Sequence, residues 1–274
     1  MKRSRWICAA AAACLLLFAL GCGSDGATAE KPAPKEAPAP PPVIETVKKE
    51  VPKGIPVLMY HMIGEIPDNP AVLSEKNFRQ QLDLIKREGF HPISLEELHA
   101  YMTKKAPVPV KPVVLTFDDG YPDTYSIVMP LMKEYGFKAT VFIPSEEVGK
   151  RLTWDQIREM KASGMDIYSH SYNHRRLTEW GGRQEQYEEI MKGQAAMKKE
   201  LGIDNDMYCY PYGMYDENSF AALEEAGIKI AVTMDPGWAN YGENPLAVER
   251  IWIGNPVDID NFRQRITTEQ YDQR

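Results

Sequence analysis

The chain has 274 residues, 43% of them hydrophobic, which suits one large domain with additional segments. Its formal net charge is −7 at pH 7. An acidic protein of this kind is poorly suited to bind nucleic acid or anionic lipid head groups, so we expect neither as a partner.

The first 21 residues have the composition of an export signal. A basic start precedes an apolar run from Ile7 to Leu20, which is too short to span a bilayer comfortably as a mature helix. The run ends in Ala19-Leu20-Gly21-Cys22, which resembles the processing box of bacterial lipoproteins. We therefore expect residues 1–21 to be removed and Cys22 to carry lipid, giving an exported protein anchored to a membrane at the cell surface. An ordinary signal peptide cleaved nearby is the alternative.

Residues 22–53 are predicted to form a flexible tether. They are rich in alanine, proline, lysine and glutamate, with six prolines between Pro32 and Pro42, and such a composition cannot bury apolar area. At roughly 3 Å per residue, the tether would let the following domain stand up to about 90 Å from its anchor. Beyond Cys22 the only cysteine is Cys209, so the mature domain has no intramolecular disulfide available.

Residues 54–274 alternate between strand and helix patterns and are predicted to form a single domain. Strand patterns occupy 55–60, 113–117, 139–143, 167–169, 207–210, 230–233 and 250–253, and helix patterns occupy 78–88, 95–102, 125–135, 154–163, 184–201 and 218–226. Strands separated by helices indicate parallel βαβ units. About seven such units predict an α/β fold, a distorted and incomplete (β/α)7 barrel.

Two adjacent carboxylates follow the strand pattern 113–117. Asp118 and Asp119 lie where that strand ends, and Gly120 lets the backbone pass close by. The carboxyl ends of strands are where α/β proteins place their chemistry. Neighbouring side chains at a strand end point in different directions, so one carboxylate can bind a cation while the other faces a bound water. A solvated turn that only closes the strand is the alternative.

Two histidines follow a second strand end. His170 and His174 are four residues apart, a spacing that predicts both imidazoles on one side of a helical turn. One aspartate and two histidines can form a facial metal site that keeps open positions for water, as hydrolytic metal ions require.

The pattern Thr116-Phe117-Asp118-Asp119-Gly120 followed by His170-Ser171-Tyr172-Asn173-His174 resembles the first two motifs of the polysaccharide deacetylases, the NodB-like carbohydrate esterase family 4. The resemblance implies the same barrel fold. It also implies that Asp119, His170 and His174 hold one divalent metal ion, zinc in the first place with cobalt or nickel as alternatives, and that Asp118 is the general base.

Later stretches resemble further motifs of this family. In 207–213 the family's third motif places Pro211 and Tyr212 at the substrate, and the resemblance implies that the Tyr212 amide helps hold the oxyanion. The family's arginine, which orients the base, is replaced by Cys209. Arg250, which opens the last strand pattern, is the best substitute, and a surface salt bridge is the alternative. The stretch Asp235-Pro236-Gly237-Trp238 resembles the fourth motif, and implies that Trp238 receives the acetyl methyl group.

The general acid must come from an unusual place, because no histidine follows His174 where the family's fifth motif would supply one. His61 ends the first strand pattern, and barrel topology puts it on the same face as Asp118. A strand-end histidine bonded only to backbone is the alternative. The opening Tyr60-His61-Met62-Ile63 is similar to that of deacetylases that act on poly-β-1,6-N-acetylglucosamine of biofilm matrices.

These residues predict a metal-dependent enzyme that hydrolyses N-acetyl groups of a GlcNAc-containing polysaccharide and acts as a monomer. The expected substrate is poly-β-1,6-N-acetylglucosamine, with peptidoglycan GlcNAc or chitin oligomers as alternatives. A surface protein that binds polysaccharide without turnover is the alternative of another class.

Overall fold

The computed structural model describes residues 47–271. The predicted signal peptide, Cys22 and the tether up to residue 46 lie outside these residues. Seven parallel strands form the centre of the fold: β1 Val57–Tyr60, β2 Pro112–Phe117, β3 Thr140–Ile143, β4 Asp166–Ser169, β5 Met207–Cys209, β6 Ile230–Pro236 and β7 Val248–Trp252. The helices are α1 Glu75–Arg87, α2 Leu95–Lys104, α3 Met129–Tyr135, α4 Trp154–Ala162, α5 Arg183–Leu201, α6 Glu217–Glu225 and α7 Ile259–Thr267.

The seven strands close into a ring. From β2 to β7 each strand pairs with its neighbours in the chain, and β1 pairs with both β2 and β7. Val57 lies opposite Val114 in the first of these pairings, and Leu58 lies opposite Ile251 in the second. The register shifts between Val232 and Pro236 in the β6–β7 pairing, which distorts that side of the ring. The predicted fold, a distorted (β/α)7 barrel with one strand fewer than the usual eight, is confirmed.

Alternate strand residues face opposite sides of the barrel wall. Leu58, Leu115 and Val141 join a cluster that includes residues of α1, α3, α4 and α7. A second cluster, to which helix α2 also contributes, contains one residue from each of six strands, and these strand residues face the barrel interior: Val57, Val114, Phe142, Cys209, Val232 and Val248. Asp118 shares the interior face of Val114 by this alternation, because the two positions are an even number of residues apart.

Short elements surround the barrel. Strand pairs join Lys49–Glu50 to Val108–Pro109, Gly54–Ile55 to Ala239–Asn240, Met62–Ile63 to Val72–Leu73, and His91–Pro92 to β2. A π-helical turn spans Thr124–Val128, and 3-10 turns span Ser145–Glu147, Leu177–Glu179 and Pro211–Gly213. The pairing of Lys49–Glu50 shows that ordered structure begins before residue 54, inside the segment predicted as tether.

The structure differs from the predicted elements in three further places. The first strand pattern is interrupted at Pro56, which cannot donate to a strand ladder. The predicted helix 125–135 begins as the π-helical turn. Helix α7 was not predicted, although Asp258 caps it by accepting from the Asn261 N–H and Phe262 and Ile266 share its buried face. In the described range 47–271, no helix is both long and apolar enough to cross a membrane.

Candidate active site

The predicted site residues come from separate strand ends and meet at the carboxyl end of the barrel. His61 follows β1, Asp118 and Asp119 follow β2, His170 follows β4, and Arg250 lies within β7. The Asp118 N–H donates to the Tyr60 carbonyl at 2.9 Å, which ties the end of β2 to the end of β1. Parallel strands therefore bring together side chains that are far apart in the sequence.

Asp118 and Arg250 form what we call the base half of the site. Arg250 donates from Nη1 to Asp118 Oδ1 at 2.8 Å and from Nη2 to Oδ2 at 2.7 Å, a bidentate pair. Its Nε donates to the Thr233 carbonyl at 2.6 Å, and Nη1 also donates to Thr116 Oγ1 at 3.0 Å. Arg250 is fully buried, so the alternative of a surface salt bridge is excluded.

This pairing controls the ionisation of Asp118. Burial by itself would raise the pKa of the carboxyl, but the Arg250 charge and hydrogen bonds hold that pKa below its ordinary value. Cys209 stands beside the pair, with its Sγ 3.5 Å from Asp118 Oδ2 and 3.3 Å from Arg250 Nη2. Burial raises the pKa of the Cys209 thiol, so the thiol is a neutral neighbour of the pair. Arg250 thus pairs with Asp118, the residue that the arginine of the family's third motif would orient. In this chain, Cys209 occupies the position of that arginine.

Asp119, His170 and His174 form what we call the metal half. Asp119 Oδ1 lies 2.9 Å from His174 Nε2 and 3.3 Å from His170 Nε2. The His170 Nδ1–H donates to the Cys209 carbonyl at 2.8 Å, which leaves Nε2 facing Asp119. Burial would raise the pKa of Asp119, but hydrogen bonds from His170 and His174 lower it well below its ordinary value.

The metal half fits the donor set of a divalent metal ion. One carboxylate oxygen and two imidazole nitrogens lie within 4.8 Å of one another. A backbone carbonyl on the far nitrogen of His170 is the support that metal-bound histidines commonly have, because it sets the tautomer and the ring orientation.

The backbone of the metal half differs from the prediction. Residues 170–174 form no helical turn, because Ser171 (φ 65°) and His174 (φ 62°) adopt left-handed conformations. Asp119 is also left-handed (φ 70°). The prediction of a helical turn was therefore wrong, although the two imidazoles do converge. Left-handed residues other than glycine cost about 1–3 kcal/mol each and cluster where the surrounding structure enforces them.

Gly120 is favoured by its backbone conformation. It has φ 58°, and a Cβ there would lie 2.6 Å from Ile143 Cδ1. L side chains rarely adopt this backbone conformation, and the Ile143 side chain would also have to move, so a substitution at Gly120 would be strained.

Tyr212 lies at the rim beside the metal half. Its backbone is left-handed (φ 58°), and buried Pro211 precedes it in the 3-10 turn after β5. The Tyr212 ring is half exposed and its centroid is 4.9 Å from that of His174, with the Arg176 guanidinium 4.5 Å above the tyrosine ring. The predicted position of Tyr212 at the substrate is compatible with this placement, and the oxyanion role of its amide stays a prediction.

His61 lies beside the base half. Its Nε2 is 4.0 Å from Asp118 Oδ2. Its Nδ1 is buried and has no hydrogen-bond partner among residues 47–271, so the alternative of a histidine bonded only to backbone is not what the structure shows. Burial lowers the pKa of His61, while Asp118 and Asp119 act in the opposite direction.

Trp238 does not join the site. After Pro236 the chain turns back, and Ala239–Asn240 pairs with Gly54–Ile55, at the amino end of β1. Five residues of extended strand separate Ile55 from Tyr60, which is about 16 Å. The indole Nε1 of Trp238 donates to the Arg265 carbonyl of α7 at 3.0 Å. The prediction that Trp238 receives the acetyl methyl group is therefore wrong, because the loop carries the indole towards the opposite end of the barrel.

A cavity of about 400 Å³ also opens at that opposite end, next to Trp238, Pro56 and Pro112. Pro56 and Pro112 stand at the amino ends of β1 and β2, whereas Asp118 follows the carboxyl end of β2. This cavity is consequently separate from Asp118 and the other candidate catalytic groups.

Two supporting contacts had no signal in the sequence. Arg151 donates from Nη1 to the Asp119 carbonyl at 2.9 Å, lies 3.9 Å from Asp119 Oδ2, and covers the Tyr121 ring at 4.4 Å. Asp123 Oδ2 accepts from the Ile63 N–H at 2.7 Å, two residues beyond His61. Each of these contacts joins two segments that are far apart in the sequence, so no local sequence pattern predicts it.

Comparison with known proteins gives consistent similarities. Residues 105–231 match the sequence profile of the family described as polysaccharide deacetylase. The Bacillus subtilis protein YxkH, a polysaccharide deacetylase by name, is 30% identical over 254 residues, which is 88% of this chain and 89% of that protein.

Two further comparisons concern a named activity and a solved structure. The poly-beta-1,6-N-acetyl-D-glucosamine N-deacetylase of Escherichia coli K12 is 22% identical over 263 residues, or 79% of this chain, which spans only 39% of that relative's length. The structure of the Streptococcus pyogenes deacetylase PplD in complex with acetate superposes with a TM-score of 0.73 and 29% identity, over 81% of this chain and all of that one.

Proposed function

Because this chain belongs to the polysaccharide deacetylase family, whose members are hydrolases of N-acetyl amide bonds, we propose that it removes N-acetyl groups from a GlcNAc-containing polysaccharide and releases acetate. The observation that carries the proposal is the bidentate Asp118–Arg250 pair next to the convergent Asp119, His170 and His174. A protein that only binds polysaccharide has no need of an oriented base beside such a site.

The residues divide the reaction among them. A divalent metal ion held by Asp119, His170 and His174, zinc in the first place with cobalt or nickel as alternatives, would supply a Lewis acid and acidify a water molecule. Asp118 accepts a proton from the attacking water molecule. At the same time, the water oxygen forms a new bond to the acetyl carbon. Arg250 keeps that carboxylate ionised and aimed.

The remaining steps fall to Tyr212 and His61. The Tyr212 amide donates to the oxygen on which negative charge develops. His61 gives a proton to the sugar nitrogen as the C–N bond breaks, so acetate and a free amine leave. The 4.0 Å distance between His61 Nε2 and Asp118 Oδ2 supports giving the two proton-transfer roles to groups of the same site.

We propose poly-β-1,6-N-acetylglucosamine as the polymer. Its support is the similarity to the E. coli relative named for that activity and the histidine that follows β1. The test compares acetate release from GlcNAc oligomers of equal length with β-1,6 or β-1,4 linkages and from peptidoglycan, using metal-stripped protein with and without added zinc. A preference of at least tenfold for the β-1,6 oligomer is expected, which is about 1.4 kcal/mol of discrimination. If the protein prefers peptidoglycan or the β-1,4 oligomer, that polymer replaces poly-β-1,6-N-acetylglucosamine as the proposed substrate. If zinc-loaded protein releases no acetate from any of the polymers, the result favours the non-catalytic alternative.

We further propose that the protein is exported as a monomer and held at a membrane by lipid on Cys22. The basic and apolar start and the Ala19-Leu20-Gly21-Cys22 box support export and the lipid anchor. Cys22→Ser should move the protein from the membrane fraction to the soluble fraction, because the lipid is the only proposed attachment. Detergent-dependent extraction of that variant would contradict the anchor, and a dimer in size-exclusion chromatography would contradict the monomer.

A further inference from the structure

One carboxylate of helix α5 accepts hydrogen bonds from the loop between His170 and His174, whose carbonyl groups accept from the Ser145 and Glu146 N–H groups. Glu189 Oε1 accepts from the Tyr172 N–H at 3.0 Å and from the Asn173 N–H at 2.8 Å. Glu189 is 1% exposed, so both bonds are shielded from water. A carboxylate that accepts two backbone N–H groups makes stronger bonds than a neutral acceptor would.

Helix α5 approaches this loop very closely. Gly193 lies one turn beyond Glu189 on the same helix face. A Cβ on Gly193 would lie 2.5 Å from Ser169 Oγ and 3.3 Å from the Ser171 carbonyl carbon. The absence of a side chain at Gly193 therefore lets the helix backbone reach the end of β4, which brings the Glu189 carboxylate to the loop.

The loop needs such support. Ser171 and His174 both have left-handed backbone conformations, which L-residues other than glycine adopt only under constraint. Ser171 Oγ accepts from the His174 N–H at 2.8 Å, so a shift of Ser171 would move the second imidazole. Glu189 binds the two residues that separate Ser171 from His174.

We propose that Glu189 is a positioning residue for the metal centre, and that it sets the relative placement of His170 and His174. The inference rests on the proposed function, since it takes these two histidines as metal ligands. The second oxygen of Glu189, Oε2, is buried and has no hydrogen-bond partner among residues 47–271. A buried carboxylate oxygen without a hydrogen-bond partner lowers the stability of the fold. Such a cost is expected where a side chain serves a functional site rather than stability.

The test compares Glu189→Ala and Glu189→Gln with Glu188→Gln. Glu188 is exposed on the same helix, so its variant changes the same charge without touching the loop. We expect Glu189→Ala to bind zinc about 10–100-fold more weakly in a chelator competition, as is typical when the support of a metal ligand is removed. Glu189→Gln keeps an oxygen that can accept both N–H groups, so it should recover most of the affinity, and Glu188→Gln should equal the parent.

Two further readouts separate positioning from stability. The visible absorption of the cobalt-substituted protein should change in Glu189→Ala, because it reports ligand geometry. Gly193→Ala, which presses on Ser169 and Ser171 without a change of charge, should also weaken zinc binding. A Glu189→Ala variant that melts earlier but keeps the parental zinc affinity and cobalt spectrum would show a merely structural role.

Should Glu189→Ala fail to fold, Gly193→Ala decides the question, and parental zinc affinity with a parental cobalt spectrum in that variant would overturn the proposal. A parent protein that binds no zinc would overturn both this inference and the proposed metal site. If the parent binds zinc, and both Glu189→Ala and Gly193→Ala keep the parental zinc affinity and cobalt spectrum, the inference alone is overturned.

Discussion

The base half and the metal half begin at adjacent residues but are built in opposite ways. Asp118 continues the strand alternation of β2 and stays on the interior face of the barrel, where Arg250 meets it. Asp119 has a left-handed backbone and turns towards a loop that contains two more such residues. The comparison shows one carboxylate fixed by the strand framework, and three donor side chains brought together from different directions by constrained loops.

This difference decides what each half tolerates. The base half is a buried ion pair, so removal of one partner leaves an uncompensated charge that no added solute replaces. The metal half is proposed to hold an exchangeable ion, and weakened binding of such an ion can be offset by a higher metal concentration. Variants of the two halves should therefore respond differently to added metal.

The largest effect is expected from His174→Ala, which removes one of the three proposed metal ligands. Both bound metal and acetate release should fall below detection in protein isolated with the parent's metal supply, because three protein ligands leave no redundancy. Elemental analysis alongside activity provides the check. Full metal occupancy in this variant would break the assignment of the metal half.

Asp118→Asn should lose about 10²–10⁴ in kcat while metal content is unchanged. The amide is nearly isosteric and can still accept from Arg250, but it cannot take a proton at neutral pH. Unfolding by urea should also show a lower stability, since buried Arg250 loses its counter-charge. The activity assay is therefore run well below the melting temperature of the variant. Added zinc should not restore its activity. A rate within about threefold of the parent would make Asp118 structural only.

His61→Gln should cost about 10²–10⁴ in kcat with little change in metal content. The parent rate should fall as pH rises through the pKa of His61, because the protonated acid is lost there, and burial places that pKa below its ordinary value. Acetate release measured from pH 5 to 9 should lack this alkaline limb in the variant. A near-parental rate with an unchanged alkaline limb would leave a water or Tyr60 as the proton source.

Arg250→Lys keeps the positive charge but loses the bidentate geometry, and we expect roughly a 10²-fold loss in kcat/KM. In the parent, Arg250 lowers the pKa of Asp118 against the effect of burial, so the base remains ionised down to low pH. Weakening that pair should move the acid limb of the pH–rate profile to higher pH. The stability that the pair contributes is present above the unfolded pKa of aspartate and is lost as pH falls through the lowered pKa. An acid limb at its parental position would contradict this role of Arg250.

Trp238→Phe should have the smallest effect on catalysis, because the indole belongs to neither half. We expect kcat within about threefold of the parent and a loss of about 1 kcal/mol in unfolding free energy, from the missing hydrogen bond to the Arg265 carbonyl. Urea denaturation and acetate release measure the two quantities. A large fall in kcat at unchanged stability would return Trp238 to the catalytic site.

Much of the site could be predicted because strand ends are local features. The strand patterns before Asp118 and His170 mark where β2 and β4 stop, and parallel topology then places those ends on one face. The four-residue spacing of the histidines suggested a helical turn, but it is equally compatible with the left-handed loop that Glu189 holds. The fourth motif gave Trp238 a position in the chain without the direction of its loop, which the pairing with Gly54–Ile55 sets.

The sequence by itself determined the alternation of strands and helices, the residue types at each strand end and thus the kind of chemistry, because periodicity and composition report on local burial and turns. Only the tertiary structure decided which groups meet. Arg250 reaches Asp118 from 132 positions away because β7 closes the ring onto β1. Glu189 reaches the histidine loop because Gly193 lets a helix approach. Such contacts depend on the pairing and packing of segments that are distant in the sequence, so the local sequence pattern does not predict them.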